Sequence, residues 1–295
     1  MVTKIKNWKW PAKLAIGLLF LLIGLGAIIG GNKGVPIQAA DQIENHVSAD
    51  TTTLSSNSDI SKIKAVLLNS YQNYDSVSFK FNKWELIDGK KHLTNASVKV
   101  VQRPVPMVNM MMTSGMEGEK QYITQEISDG KQTFTYDEGR NWYFVRDTYI
   151  SPDPKKMPAE APENAVSVYE NGTRIPSGGD VELVVHPELL AQNWMLNSQV
   201  SIGEVEKIAG REALRLDIFP AEAAKDKLGD KRVYWIDSQT GVILGSDIYH
   251  NGQKSESFIL EDVVFNQEIS KENFVFTAPQ GVPDLNTVHA SPFPE

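Results

Sequence analysis

Residues 210–266 contain a series of short apolar runs separated by turn residues, and this pattern constrains the fold more than any other feature of the chain. Runs rich in Val, Ile, Tyr, Phe and Trp stop at residues 237–241 and again at Asn251-Gly252. Asn-Gly is the dipeptide that most strongly favours a two-residue type I′ hairpin. Because consecutive hairpins form a meander, the segment predicts antiparallel strands.

A second set of short strands is predicted between residues 77 and 145. From residue 77 to residue 81 apolar and polar residues alternate, and the apolar positions then shift to Trp84 and Leu86, which predicts a bulge near Asn82. The other strands predicted in this region cover residues 97–105, 121–127, 132–136 and 142–145. The same pattern predicts one more strand at residues 200–208.

Two amphipathic helices are predicted beside these strands. Ser58 or Asp59 is the predicted N-cap of the first helix, whose apolar residues recur near helical spacing as far as Tyr74. The second is predicted to begin at His186-Pro187, because proline is favoured in a first helical turn. Residues 147–180 are rich in proline and glycine and predict a long surface excursion.

The N-terminus predicts export from the cytoplasm. Residues 1–13 contain four lysines and no acid, and residues 14–29 are uncharged, which is the arrangement of an export signal. The apolar run reaches about 24 Å at ~1.5 Å per residue, against a hydrocarbon core of ~30 Å. Residues 1–40 are therefore either a signal peptide, cut near Ala39 or Ala40, or a segment whose residues 14–30 stay as a membrane anchor. Gln38 suits a cleavage site poorly and favours the anchor.

Composition excludes several classes of protein beyond this segment. There is no cysteine, so disulfides, thiolate nucleophiles and Cys-bound metals are impossible. After Ala40 the chain has 24 basic and 37 acidic residues, a net charge of −13, which opposes nucleic-acid binding. The five histidines show no HExxH spacing, and G-x-S-x-G is absent. The sequence therefore predicts no enzyme, no metal site and no cofactor.

The residues expected to line a hydrophobic site include a methionine cluster, since five of the eight methionines lie within residues 107–116. Flexible thioether side chains suit a site that accepts guests of varied shape. Ordinary core packing is the alternative for all these residues. The predicted lining residues are Phe79, Phe81, Trp84, Met107, Met110, Met111, Met112, Leu190 and Trp194.

Several stretches resemble a known group of bacterial envelope proteins. IAGREALRLDIFP followed by RVYWIDSQTGVIL resembles periplasmic stress regulators of the RseB/MucB type, and FILEDVVFN and FVFTAPQGV resemble the wider LolA-like lipoprotein-carrier superfamily. The resemblance covers residues 59–282, between a flexible spacer (41–58) and a loose tail (283–295). It implies an α+β fold, with a single strongly curved antiparallel sheet forming an unclosed half-barrel and helices on its concave face. A hydrophobic helix would precede this domain.

The same resemblance implies a function without catalysis. Such proteins hold acyl chains or hydrophobic polypeptides in the hollow of the sheet. The chain is therefore expected to bind a lipid, lipoprotein or hydrophobic peptide outside the cytoplasm, as a carrier or as an envelope-stress sensor acting on a membrane anti-sigma-type partner. A structural or interaction domain with a self-filled cavity is the alternative. No lipidated cysteine and no short partner-binding motif accompany the resemblance.

Overall fold

A computed structural model describes residues 53–103, 105–147, 179–188, 190–191 and 198–288. The hydrophobic segment of residues 14–30, most of the predicted surface excursion and Trp194 lie outside these ranges. Within the described residues, no helix is long and apolar enough to cross a lipid bilayer.

The described strands form one antiparallel sheet with 11 strands in the order β6-β5-β4-β3-β2-β1-β11-β10-β9-β8-β7. Their bounds are β1 Ser76–Ile87, β2 Lys90–Val101, β3 Met107–Met116, β4 Tyr122–Ser128, β5 Gln132–Asp137, β6 Trp142–Asp147, β7 Ser198–Ile208, β8 Arg211–Pro220, β9 Lys231–Asp237, β10 Ile243–His250 and β11 Gln253–Phe265. The sheet is two meanders joined where β1 pairs with β11. β6 and β7 are its edges and do not pair with each other, so the predicted single, curved and unclosed sheet is confirmed.

Local turn signals position the hairpins as the sequence predicts. Asn251 and Gly252 have φ angles of 53° and 74°, the left-handed pair that a type I′ turn requires. Gly252 reaches this region without steric cost because it has no Cβ. Asp88 and Gly89 form the equivalent turn between β1 and β2, with φ angles of 51° and 77°.

Bulges occur between neighbouring strands, although not where the sequence placed one. β1 pairs with β2 without a shift along its whole length, so the bulge predicted near Asn82 is wrong. The extra residue lies on β11 instead, between Glu261 and Val264, where Asp262 has a φ of 51°. Further register shifts occur between β9 and β10, β10 and β11, and β7 and β8. Each bulge bends its strand and increases the local twist, which favours curvature of the sheet.

Two helices lie on the same face of the sheet. α1 (Ile60–Leu68) buries Ile63 and Leu67 against residues of β8 and β9, including Leu216 and Tyr234. α2 (Gly179–Val185) lies in the connection from β6 to β7, and its three buried valines pack with residues of β1, β2, β3 and β11. α2 ends at Val185, before the helix start predicted at His186-Pro187, and Glu188, Leu190 and Ala191 are again helical.

The remaining described helices are short. A 3-10 turn at Glu222–Ala224 leads into α3 (Lys225–Leu228), whose C-cap is Gly229. Two other 3-10 turns cover Ser70–Gln72 and Lys271–Phe274, and α4 covers Leu285–Val288.

The C-terminal segment contacts the face of the sheet opposite the helices. Phe276 stacks on Phe134 with ring centroids 5.0 Å apart, and its ring lies 5.6 Å from that of Tyr143. The backbone N–H of Tyr143 donates to the carbonyl of Pro283, and the amide of Asn286 donates to Val145. Residues 283–288, expected to form part of a loose tail, are therefore bound to β6.

The N-cap of α1 gives a first testable prediction. The Asp59 side chain accepts a hydrogen bond from the backbone N–H of Lys62 at 2.7 Å, as a capping residue does. Asp59→Ala is expected to lower the free energy of unfolding by about 1 kcal/mol. Asp59→Asn should lose much less, because asparagine caps equally well. Urea unfolding of both variants measures this, and equal losses would show that the cap contributes nothing.

Candidate functional site

The face of the sheet that α1 and α2 cover is called the inner face, and its residues follow from the strand register. Residues paired directly across antiparallel strands point to the same side, and neighbours along a strand point to opposite sides. One row of paired inner-face residues consists of Phe79, Val98, Met110, Glu126, Thr135 and Phe144. The next row consists of Phe81, Ala96, Met112, Thr124, Asp137 and Trp142.

The register separates the predicted lining residues into two groups. Phe79, Phe81, Met110 and Met112 share the inner face, whereas Trp84, Met107 and Met111 occupy alternate positions on the outer face. Met111 is 50% exposed, and Lys91 Nζ lies 4.9 Å from the ring centroid of Trp84. Leu190 is fully buried in the cluster that contains α1.

Burial on the inner face falls from β1 toward β6. Phe79, Phe81, Val98 and Met110 are buried in the same cluster as the valines of α2. Met112 is only partly buried, and the inner-face residues of β4 to β6 in the two rows are half-buried. The hollow is therefore filled by α2 near β1 and β2, while its β3–β6 part keeps accessible surface.

We call this half-buried part of the inner face the β3–β6 strip, and it consists of Met112, Thr124, Glu126, Thr135, Asp137, Trp142 and Phe144. The rings of Trp142 and Phe144 lie 5.3 Å apart. Arg140 and Arg146 lie over these two rings, each at 5.9 Å from the ring centroid. The strip combines a flexible thioether with two aromatic rings, which is a suitable lining for hydrocarbon.

A carboxyl group lies inside this strip. Only 14% of the Glu126 side-chain surface is exposed, and burial raises the pKa of Glu126 to about 7. Arg146 acts in the opposite direction, but its Nη2 atom is 3.9 Å from Glu126 Oε2 and its side chain is 58% exposed. Because this guanidinium is largely exposed to solvent, it offsets only part of the desolvation that disfavours the charged form.

The inner face becomes charged where β1 approaches its C-terminal end. Lys83 Nζ lies 3.3 Å from Glu256 Oε1, and Glu85 Oε1 lies 3.4 Å from His92 Nδ1. The contact with His92, followed by the charge of Lys83, holds the pKa of Glu85 below its ordinary value although burial opposes this. This cluster closes the apolar rows at that end.

The segment after α2 places polar groups in the interior. His186 Nδ1 lies 2.8 Å from Glu188 Oε1, and both residues are buried. Burial, and then the nearby charge of Glu188, raises the pKa of Tyr74 well above its ordinary value. Within the described ranges, no group of three or more acidic or histidine residues is arranged to hold a metal ion.

The sequence pattern did not identify four residues of the strip, which are Glu126, Thr135, Trp142 and Phe144. Along β4 the apolar residues Ile123 and Ile127 alternate with Thr124 and Glu126, so the pattern assigns Glu126 to solvent. The structure shows why this fails, since Ile127 is buried on the outer face, where Phe276 stacks on the neighbouring Phe134. This long-range contact covers the outer face next to β4, and alternation along the strand does not reveal it.

Comparison with known proteins finds similar solved structures at low sequence identity. No family model and no curated protein sequence matches the chain. The MucA/MucB complex of Pseudomonas aeruginosa matches with a TM-score of 0.41 and 12% identity, covering 73% of this chain and 61% of the other. LprF from Mycobacterium bovis matches with a TM-score of 0.37 and 11% identity, over 71% of this chain and 95% of the other.

A LolA superfamily protein from Nitrosomonas europaea also matches, with a TM-score of 0.24 and 10% identity, covering 76% of this chain and 98% of the other. The chain spans only 60% to 62% of the length of the MucB chains that it matches. These are the kinds of protein that the sequence resembles, and the likeness concerns the fold alone.

Proposed function

We propose that this chain is a non-enzymatic, extracytoplasmic protein that binds the hydrocarbon part of a lipid, lipoprotein or hydrophobic polypeptide on its β3–β6 strip. The observation that carries the proposal is the incomplete burial of this strip, which continues the apolar rows of the core beyond the cover of α2. An apolar face that continues a core and keeps accessible surface suits a ligand that completes it.

The energetics suit reversible binding. Each buried methylene contributes about 0.8 kcal/mol, so one acyl chain gives useful but reversible affinity. Met112 adapts to different chains because its thioether has several accessible rotamers. The basic and uncharged N-terminal segments support export, and a retained anchor at residues 14–30 would keep the domain at the membrane.

The sequence left two biological roles open, that of a carrier and that of a sensor. One similar structure is described as MucB in complex with MucA, and another as an outer membrane lipoprotein-sorting protein domain. We include both roles in the proposal: a carrier, and an envelope-stress sensor that acts on a membrane partner of the anti-sigma type.

A scaffold with a self-filled hollow is the second candidate, and one observation favours it. Phe79, Phe81 and Met110, which were expected to line the ligand site, are buried in the same cluster as α2. If α2 and residues outside the described ranges also covered the strip permanently, no guest would enter. The two candidates differ in whether hydrocarbon reaches Met112.

Two neighbouring methionines provide a matched test. Met112 lies on the inner face and Met111 on the outer face, so Asp at either position adds the same charge to opposite sides of β3. We expect Met112→Asp to lower capture of hydrocarbon about tenfold, because the guest would meet an unpaired charge. Met111→Asp should leave capture unchanged, since residue 111 is half-exposed.

The measurement uses the full chain in bacteria fed a fatty acid that carries a diazirine and an alkyne. After irradiation, labelled peptides from residues 104–146 are quantified by mass spectrometry, which separates the strip from any anchored N-terminus. Thermal melting of each variant controls for unfolding. Absence of label in these peptides of the wild-type chain would favour the self-filled scaffold, and equal losses in both variants would contradict the inner-face site.

A further inference from the structure

Two neighbouring polar groups in the β3–β6 strip have no hydrogen-bond partner among the described residues. They are Oε1 of Glu126 and Oγ1 of Thr135, and both atoms are buried. The two residues lie directly opposite each other on β4 and β5. Buried polar atoms in folded proteins nearly always have a partner. Two adjacent buried atoms without one are left for a water molecule or a bound ligand to satisfy.

Apolar side chains flank this pair across the sheet, and polar residues (Thr124, Ser128, Thr133 and Asp137) are its inner-face neighbours along β4 and β5. In its own row Met110 and Phe144 lie on either side, and Met112 and Trp142 belong to the next row. A polar pair within a hydrocarbon-compatible strip is the layout of a site for an amphipathic molecule, in which polar contacts orient a mostly apolar ligand.

The charges around Glu126 decide which polar group fits. Among the described residues, Arg146 on β6 is the charged group that lowers the pKa of Glu126, and its Nη2 atom is 3.9 Å from Glu126 Oε2. Asp137 on β5 lies one row further, and the β3 residues of these rows, Met110 and Met112, are not ionisable. α2 carries the buried Glu182. With its pKa raised to about 7, a large fraction of Glu126 is the neutral acid at neutral pH, and this form can donate as well as accept a hydrogen bond.

Charged headgroups suit the pair poorly. A phosphate would lie against a carboxyl group that its own charge keeps from ionising, and no cation contacts Glu126 Oε1 among the described residues. An ammonium group would have to approach the rings of Trp142 and Phe144, over which Arg140 and Arg146 already lie. Two like charges over adjacent rings would repel each other.

We propose that Glu126 and Thr135 form a headgroup subsite that hydrogen-bonds an uncharged ester or hydroxyl group of an acyl-chain guest. This inference rests on the proposed function, because the acyl chain would lie along Met112 and the aromatic residues of the strip. The neutral carboxyl group of Glu126 donates to an ester carbonyl, and the hydroxyl group of Thr135 donates to or accepts from the same headgroup.

The subsite makes binding depend on pH in a defined direction. The donating form of Glu126 is the protonated one, so affinity falls as the pH rises through about 7. Between pH 6 and pH 8.5 the neutral fraction falls more than tenfold, and affinity is expected to fall about tenfold. Glu126→Gln keeps a donor at every pH, so its affinity should be nearly constant. Thr135→Val should lower affinity about fivefold throughout while keeping the pH dependence.

The experiment uses the full chain in a non-ionic amphipol and a diazirine-bearing monoacylglycerol, whose headgroup does not titrate in this range. The concentration that half-saturates labelling of peptides from residues 104–146 is measured from pH 5.5 to 8.5. Glu119→Gln, at an exposed turn, is the matched control for loss of one acid. A monoacyl phosphate and a monoacyl choline ester serve as competitors.

The outcomes separate this inference from the proposed function. Labelling of the wild-type chain that falls with pH, and a flat profile for Glu126→Gln, support the subsite. Clear labelling with the same pH profile in the wild-type, Glu126→Gln and Glu119→Gln chains would overturn it and leave hydrocarbon binding intact. Stronger competition by either charged lipid would also overturn it. No labelling of the strip at any pH would contradict the proposed function itself.

Discussion

Replacing Phe81 with alanine is expected to lower the free energy of unfolding by about 3–5 kcal/mol. Phe81 is 1% exposed, and its ring lies 5.1 Å from that of Phe258, which is equally buried. Truncation removes the transfer free energy of a phenyl ring and leaves a cavity that the surrounding strands and α2 fill only partly. Urea unfolding followed by tryptophan fluorescence measures the loss.

Trp84 is the control that makes this result specific to the inner face. It lies three residues further along β1 but on the outer face, where it is half-buried beside Lys91. Trp84→Ala is expected to lower the free energy of unfolding by about 1 kcal/mol, the usual effect of a substitution at a partly exposed position. This loss is smaller than that of Phe81→Ala although tryptophan is the larger side chain. Equal losses for the two variants would show that both rings lie in the core, as a bulge near Asn82 would require.

The contrast between Phe81 and Trp84 shows where the alternation of apolar and polar residues stops predicting which face of β1 a side chain occupies. Lys83 and Glu85 occupy inner-face positions on β1, which the alternation rule assigns to apolar residues, while Trp84 and Leu86 lie on the outer face. The reversal is tolerated because Lys83 pairs with Glu256 on the neighbouring strand β11. That strand lies more than 170 residues away in sequence. A local sequence pattern contains no information on this contact. The shift of the apolar positions to Trp84 and Leu86 was therefore interpreted as a bulge.

Turns and strand succession were predictable because their causes are local. Asn251-Gly252 and Asp88-Gly89 select left-handed backbone conformations through their own side chains, or the lack of one. The cap at Asp59 and the helix end at Gly229 depend on residues within one helical turn. The curved sheet then follows from successive hairpins and bulges.

The candidate site was predictable only in part, because its composition depends on what covers each face. The methionine cluster lies on β3, one strand of the proposed strip, and alternation sends Met110 and Met112 to the inner face and Met107 and Met111 to the outer face. Without the register, the four side chains are indistinguishable. The inner-face position of Glu126 could not be predicted from the sequence, because it depends on a long-range contact. The C-terminal segment around Phe276 lies against the outer face of the adjoining strands.

Glu126 also makes the stability of the fold depend on pH, with an effect of about 3 kcal/mol in total. Its pKa is about 7 in the folded chain against 4.5 for the free side chain, so the folded state holds the proton more tightly than the unfolded state. The stabilisation is complete below the unfolded pKa and is lost as the pH rises through the folded pKa. Above about pH 8 the folded chain carries a mostly buried carboxylate, and the exposed guanidinium of Arg146 offsets its charge only in part.

Urea unfolding at pH 5.5 and 8.5 isolates this contribution. Between pH 5.5 and pH 8.5 the free energy of unfolding of the wild-type chain is expected to fall by about 2 kcal/mol more than that of Glu126→Gln. The difference is smaller than the full effect of about 3 kcal/mol because part of the stabilisation is already lost at pH 5.5. The difference between the two chains cancels the other titrating groups. Glu119→Gln, which removes an exposed acid, should follow the wild-type chain. If Glu126→Gln instead loses as much stability as the wild-type chain, the carboxyl group of Glu126 is ionised and solvated, and it does not lie in an apolar strip.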